Sequence, residues 1–236
     1  MKFFKYSTCP CRRESGKSSC VSAISIPTAA PPTAPTGSRC FILGLSGAGK
    51  STFLCRIKTG KFQETQPTED YDVQEIPFSN QTINFTEIAR SDRRNFRLQF
   101  PHLTPLSPIA LLFFIDVSRG DPGVIMESLE ELVYALEYVR SRECQVRYLG
   151  IVLNKQDLLG DRWRGPLQVV EGVICETMEG LLPWQQVKQD AQELVVPLRW
   201  ELFGDGVSMK TGAGVERILR SVGAGIMTKE EAQGEK

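Results

Sequence analysis

Gly44-Leu45-Ser46-Gly47-Ala48-Gly49-Lys50-Ser51-Thr52 is the stretch on which the reading of this chain turns. It satisfies G-x-x-x-x-G-K-[ST], a loop whose glycines let successive backbone N–H groups curl around a phosphate. In that pattern the lysine, here Lys50, bridges the β- and γ-phosphates as a point charge, and the next hydroxyl, Ser51, is placed to ligate Mg²⁺. The flanks agree. Cys40-Phe41-Ile42-Leu43 reads as a short buried strand running into the loop, and Ser51 to Ile57 as the start of a helix leaving it. Gly44, Ser46, Gly47, Ala48, Gly49, Lys50, Ser51 and Thr52 are therefore the candidate phosphate-binding residues, with Ser51 also a candidate metal ligand.

Outward from that loop, strands and helices alternate. Tyr71–Ile76 alternates as an exposed strand does, Asn80-Gln81 suits a hairpin turn, and Thr82–Ile88 alternates again, which places two antiparallel strands at one sheet edge. Ala110–Val117 is a near-continuous apolar run, the pattern of a parallel strand covered on both faces. From Asp121-Pro122 a helix is expected, because Ile125, Leu129, Leu132, Leu136 and Val139 recur at steps of three and four. Val146–Leu153 reads as the next buried strand, 167–178 and 184–194 as helices, Arg199–Phe203 as a last strand and Gly214–Val222 as a closing helix. The class is α/β with a mostly parallel sheet, and ligands of such sheets sit at the carboxyl ends of the strands.

Composition narrows the function. The 236 residues are 41% hydrophobic and 24% charged, with 28 basic and 28 acidic side chains, so no net field draws the chain to nucleic acid. Seven cysteines, an odd number with several in core-like segments, point to reduced thiols in a cytoplasmic setting rather than a disulfide framework. His102 is the single histidine, which excludes multi-histidine metal sites and leaves little room for Ser-His-Asp chemistry. No apolar run reaches the roughly 18–20 residues of a membrane span. Residues 1–38 read as a flexible tail rich in Ser, Thr, Pro and Ala, broken by Pro27, Pro31, Pro32 and Pro35. The tail is basic and serine-rich with Glu14 as its one acid, which is also the composition of an organellar transit peptide. Acylation of Cys9, Cys11 or Cys20 would turn this solvated tail into a peripheral membrane contact.

A second motif, Asn154-Lys155-Gln156-Asp157, follows the strand at 146–153, about a hundred residues beyond the loop. The Asp157 carboxylate can accept from both the ring N–H and the exocyclic amine of guanine, whereas adenine presents an acceptor at that ring position. The pair of motifs selects GTP over ATP. Asn154 would tie this base loop to the phosphate loop, and the Lys155 stem would cover a face of the base.

With both motifs in place the chain resembles the small GTPases of the Arf-like and Sar group (ADP-ribosylation-factor-like), with some similarity to the β subunit of the signal-recognition-particle receptor. The resemblance spans about 39–222. Gln66-Pro67-Thr68 looks like the first switch of that group, which makes Thr68 a second metal ligand, and Val207-Ser208-Met209-Lys210 is similar to its Ser-Ala-Lys base loop. Ser208, Met209 and Lys210 would then meet guanine, with N–H groups near Ser208 approaching its carbonyl oxygen and Lys210 flanking the ring. The implied cofactors are GTP or GDP and Mg²⁺; the implied partners are guanine nucleotide and protein effectors or regulators, and the implied setting is membrane trafficking.

The implied fold is the three-layer P-loop GTPase fold, a six-stranded, mostly parallel sheet with helices on both faces. It would span 39–223, followed by a charged tail at 224–236. Two departures stand out. Ser46 replaces an aspartate, and the second switch, Asp-x-x-Gly-Gln in the family, is degenerate. A gapless count from Ile83-Asn84-Phe85-Thr86 puts Ala89, Asp92 and Arg93 at its aspartate, glycine and glutamine. Ala89 cannot support a Mg²⁺ water shell, Asp92 brings a like charge towards a γ-phosphate, and Arg93 cannot orient an attacking water. No catalytic residue is assigned, and weak or absent intrinsic hydrolysis is the expectation. An active switch completed by an activating protein, and a nucleotide-independent scaffold retaining the fold, remain open as alternatives.

Overall fold

The computed structural model describes residues 38–68, 71–78, 81–88, 109–118, 120–141, 146–159, 164–181 and 198–226. In chain order these form β1 (Ser38–Gly44), α1 (Lys50–Thr59), β2 (Tyr71–Phe78), β3 (Gln81–Ile88), β4 (Ile109–Asp116) and α2 (Pro122–Ser141). Then come β5 (Val146–Asn154), one 3₁₀ turn (Gln156–Leu158), α3 (Arg164–Leu181), β6 (Arg199–Phe203) and α4 (Val215–Ile226). The strands make one six-stranded sheet in the order β2-β3-β1-β4-β5-β6. Every neighbouring pair is parallel except β2–β3, the antiparallel edge expected from the two alternating stretches.

Strand alternation splits the core into two layers. Ile109, Leu111, Phe113 and Ile115 of β4 pack on one face with Leu129, Leu132 and Leu136 of α2 and with Ile174 and Met178 of α3. Ala110, Leu112 and Phe114 face the other way, towards Phe53 and Leu54 of α1 and Ile218 and Val222 of α4. A strand buried on both faces has no polar side to show, which is why this segment is an unbroken apolar run. Phe53 fixes α1 to the sheet, lying edge-on to Phe85 at 6.0 Å between ring centres and 5.3 Å from Phe114.

Helix α1 is flanked by Gly49 before it, left-handed (φ 95°), and by Gly60 after it, also left-handed (φ 72°), whose N–H donates to the Arg56 carbonyl. Arg56 and Lys58 in its last turn oppose the negative end of the helix dipole. Trp200 is half-buried against the α2–α3 layer, and Cys40, Cys55 and Cys175 are free thiols. The expected helix at 184–194, Asn80 of the hairpin turn, Trp163, Trp184, residues 1–37 and 227–236, and Ala89, Asp92 and Arg93 lie outside the described residues, while β1 starts at Ser38 and α4 runs on to Ile226, into the stretches expected as tails. None of the described helices is long and apolar enough to cross a membrane.

Candidate nucleotide site

Parallel strands β1, β4, β5 and β6 all end at the same rim of the sheet, and the loops that leave β1, β5 and β6 line a pocket of about 900 Å³. The loop after β1 reverses the chain between strand and helix. Gly44 (φ 132°) passes so close to β4 that a Cβ would strike the Phe114 carbonyl oxygen, and a Cβ on Gly49 would strike Asn154 Nδ2. Only glycine allows both approaches.

Most of the sequence-derived candidates meet here. Ser46, Gly47, Gly49, Lys50, Ser51 and Thr52 line the pocket together with Thr68, Asn154, Lys155, Asp157, Met209 and Lys210. Gly44, Ala48 and Ser208 stand behind that lining: Gly44 is buried at the end of β1, Ala48 is buried under the loop, and Ser208 is buried in the loop after β6. Lys50 is only 5% exposed, and its ammonium donates to the carbonyls of Gly44 at 2.8 Å and Leu45 at 3.1 Å. Burial lowers its pKa to about 8, against the opposing pull of the Glu87 charge. The Ser51 and Thr68 hydroxyls lie 3.3 Å apart, although 17 positions separate them in the chain.

Asn154 joins the three loops. Its Nδ2 donates to the Ala48 carbonyl at 2.8 Å, and its Oδ1 accepts from the Met209 N–H at 3.0 Å. Gln156 extends the tie, donating to the Leu153 and Gly204 carbonyls and accepting from the Gly206 N–H. In the loop after β6 the N–H of Ser208 donates to the Ala213 carbonyl and that of Thr211 to Ser208 Oγ. The N–H groups of Ser208 and Met209 are thus engaged within the protein. Asp157 is exposed on the 3₁₀ turn.

Five residues in or around the site, Lys155, Asp116, Arg56, Gln156 and Glu87, carry interactions that the sequence does not announce. Lys155, held at a positive φ of 69°, donates to Asp116 Oδ2 at 2.6 Å. Burial pushes the Asp116 carboxyl up, but bonds from Lys155 and from the Ser118 hydroxyl and N–H outweigh it and hold the group below the ordinary aspartate range. Arg56 donates to the Met209, Lys210 and Thr211 carbonyls at 3.3, 3.0 and 2.7 Å, pinning the base loop to α1. Gln156, in the middle of the base motif, bonds across to Gly204 and Gly206 in the segment after β6. Glu87, at the end of β3, accepts from Ser51 Oγ at 2.7 Å. The period-two pattern of β3 carries a trace of this, because Ile83, Phe85 and Glu87 fall on one face and a carboxylate there is out of place in a core. Among the described residues no group of three or more His, Cys, Asp or Glu side chains is placed to hold a metal ion.

The sequence pattern of the ADP-ribosylation factor family matches residues 33–171, more than half of the chain. The chain belongs to the ADP-ribosylation factor family. Among curated relatives, ADP-ribosylation factor-like protein 1 of Drosophila melanogaster is 31% identical over 124 residues, covering 52% of this chain and 63% of the relative. The protein of that name in Caenorhabditis elegans is 30% identical over the same share of each. The match thus spans somewhat under two thirds of these relatives' length. The mammalian SRP receptor structure contains a chain with the same fold, at a TM-score of 0.54 and 17% identity over 77% of this chain and 96% of that one.

Proposed function

We propose that this Arf-family chain binds GTP and GDP with Mg²⁺ and acts by nucleotide-dependent engagement of protein partners in intracellular membrane trafficking, with little or no hydrolysis of its own. The observation that carries the reading is Asn154, which bonds at once to the phosphate loop and to the base loop around a pocket holding Lys50 and Asp157. Lys50 would neutralise phosphate, and its protein acceptors are carbonyls it can exchange for phosphate oxygens. Asp157 would read guanine, and the Lys155 stem would cover the ring. Ser51 and Thr68 are hard oxygen donors of the kind Mg²⁺ takes. When bound, the cation would offset phosphate charge.

Weak turnover rests on the second switch. Phosphoryl transfer depends on positioning and electrostatics, so a chain without the water-orienting glutamine loses hydrolysis before it loses binding. The folded module at 39–223, a peripheral N-terminal tail and a cytoplasmic setting belong to the same proposal. Calorimetric titration with GTP, GDP and ATP, followed by single-turnover hydrolysis, tests it. Guanine nucleotides should bind and ATP should not, with turnover far below about 1 s⁻¹. An absence of heat with every nucleotide would favour a scaffold, and rapid turnover by the pure protein would sink the claim of weak hydrolysis.

A further inference from the structure

Glu87 is a buried charge in this site to which the proposed function gives no role. It is 2% exposed, yet it lines the pocket, and burial raises its pKa against the bonds and charges of Ser51, Lys50 and Thr68. One carboxylate oxygen, Oε1, accepts from Ser51 Oγ; the other, Oε2, is buried and meets no hydrogen-bond donor. Lys50 does not supply one, since its ammonium is turned to the Gly44 and Leu45 carbonyls. Across the β2–β3 pair Glu87 sits directly opposite Asp72, a second carboxylate, whose oxygens accept from Gln74. Like charges opposed in this way destabilise a strand pair, and a buried carboxylate oxygen without a partner adds to the cost. Ser51 Oγ, Thr68 Oγ1 and Glu87 Oε2 are hard oxygens gathered at the first turn of α1. That donor set suits a small divalent cation whose remaining ligands come from phosphate or water.

We propose that Glu87 is the carboxylate of this chain's divalent-cation site, acting beside the Ser51 and Thr68 hydroxyls and completed by the phosphates of a bound guanine nucleotide. The assignment rests on the nucleotide reading above. It changes the register of the second switch: the family's aspartate falls on Glu87 rather than on Ala89, two positions earlier in the sequence. Glycine and glutamine positions then fall on Arg90 and Ser91. In both registers glutamine is missing, so the expectation of weak hydrolysis is unchanged, but cation-linked affinity is retained rather than lost.

The test is release of a fluorescent N-methylanthraniloyl-GDP from the full-length protein, followed across free Mg²⁺ from EDTA to millimolar. Wild type should release slowly above a Mg²⁺ midpoint and faster below it. Glu87→Gln keeps the size and an acceptor for Ser51 while removing the charge. It should move the midpoint up by about 10- to 100-fold, the cost typical of losing a group that supports a metal. Its release rate in EDTA should stay within about twofold of wild type, because the nucleotide contacts themselves remain. Glu87→Asp, with the charge on a shorter stem, should fall between the two and covers the case in which Glu87→Gln does not fold. A wild-type Mg²⁺ midpoint in both variants, or no Mg²⁺ dependence in the wild type, overturns the assignment while leaving nucleotide binding intact. Failure of the wild type to bind GDP or GTP at any Mg²⁺ concentration overturns the nucleotide reading and this inference together.

Discussion

Lys50 and Asp157 line one pocket but would act on different parts of a nucleotide. Lys50 is a buried cation whose partners are backbone carbonyls, so its work is electrostatic and independent of the base. Lys50→Ala should weaken GTP and GDP alike, by about 10- to 100-fold for a set of charged hydrogen bonds worth roughly 1.5–3 kcal/mol. Asp157→Ala should instead erase the preference for guanine over inosine or adenine bases while leaving a residual phosphate-driven affinity; calorimetry with GDP, IDP and ADP separates the two. Asp116 offers a pH-dependent counterpart. Its folded pKa is depressed, so its bonds to Lys155 and Ser118 contribute stability above the ordinary aspartate range and lose it as pH falls through the folded value. Urea midpoints between pH 3 and 7 should fall below about pH 4 in the wild type, and part of that slope should vanish in Asp116→Asn, which should cost about 1 kcal/mol at neutral pH.

Helix α1 serves two loops at once. Its first turn presents Lys50 and Ser51, and about one and a half turns later Arg56 holds three carbonyls of the base loop, where a Cβ on Gly212 would strike the guanidinium. The helix can do this only if its seat on the sheet is rigid, and Phe53, fully buried between Phe85 and Phe114, is that seat. Phe53→Ala should cost about 3–5 kcal/mol, read as a drop in the denaturant midpoint, through lost burial and a residual cavity. Arg56→Ala should leave global stability within about 1 kcal/mol, as two of its three bonds are solvent-exposed. It should nevertheless speed release of GDP by about tenfold by loosening the base loop, the effect of roughly one lost charged bond. Arg56→Lys should recover little of this, because one ammonium does not reproduce the planar fork that spans three carbonyls. Stopped-flow release rates beside unfolding curves distinguish the two variants.

At the scale of the whole molecule, the sheet brings residues 44–52, 154–157 and 207–211 to one rim, and this much was legible in advance. The apolar run of β4 and the alternation of β2 and β3 report which faces are covered, and two short motifs mark where two parallel strands end. What escaped was of a different kind. Arg56 and Gln156 bond mainly to main-chain groups, which every sequence supplies, so nothing in the partner positions signals them. The place of Glu87 depends on which alternate residue of β3 reaches Ser51, and a gapless count along a degenerate motif is blind to that. Asn154 was legible because its partner loops are themselves marked, and it carries the coupling between them. It is 1% exposed, and removing its amide strands the Ala48 carbonyl and the Met209 N–H in the interior. Asn154→Ala should therefore destabilise the protein by about 2 kcal/mol or more, since each buried group left unmet costs roughly 1–3 kcal/mol. The wild type should gain about 2.7 kcal/mol from GDP at a hundred times its dissociation constant, a thermal shift of roughly 5–11 °C for a domain of this size. Asn154→Ala at the same GDP concentration should show less than half that shift, because the two loops no longer hold the pocket as a unit. A full wild-type shift on the lowered baseline would mean that phosphate and base are gripped independently, and that Asn154 serves the fold alone.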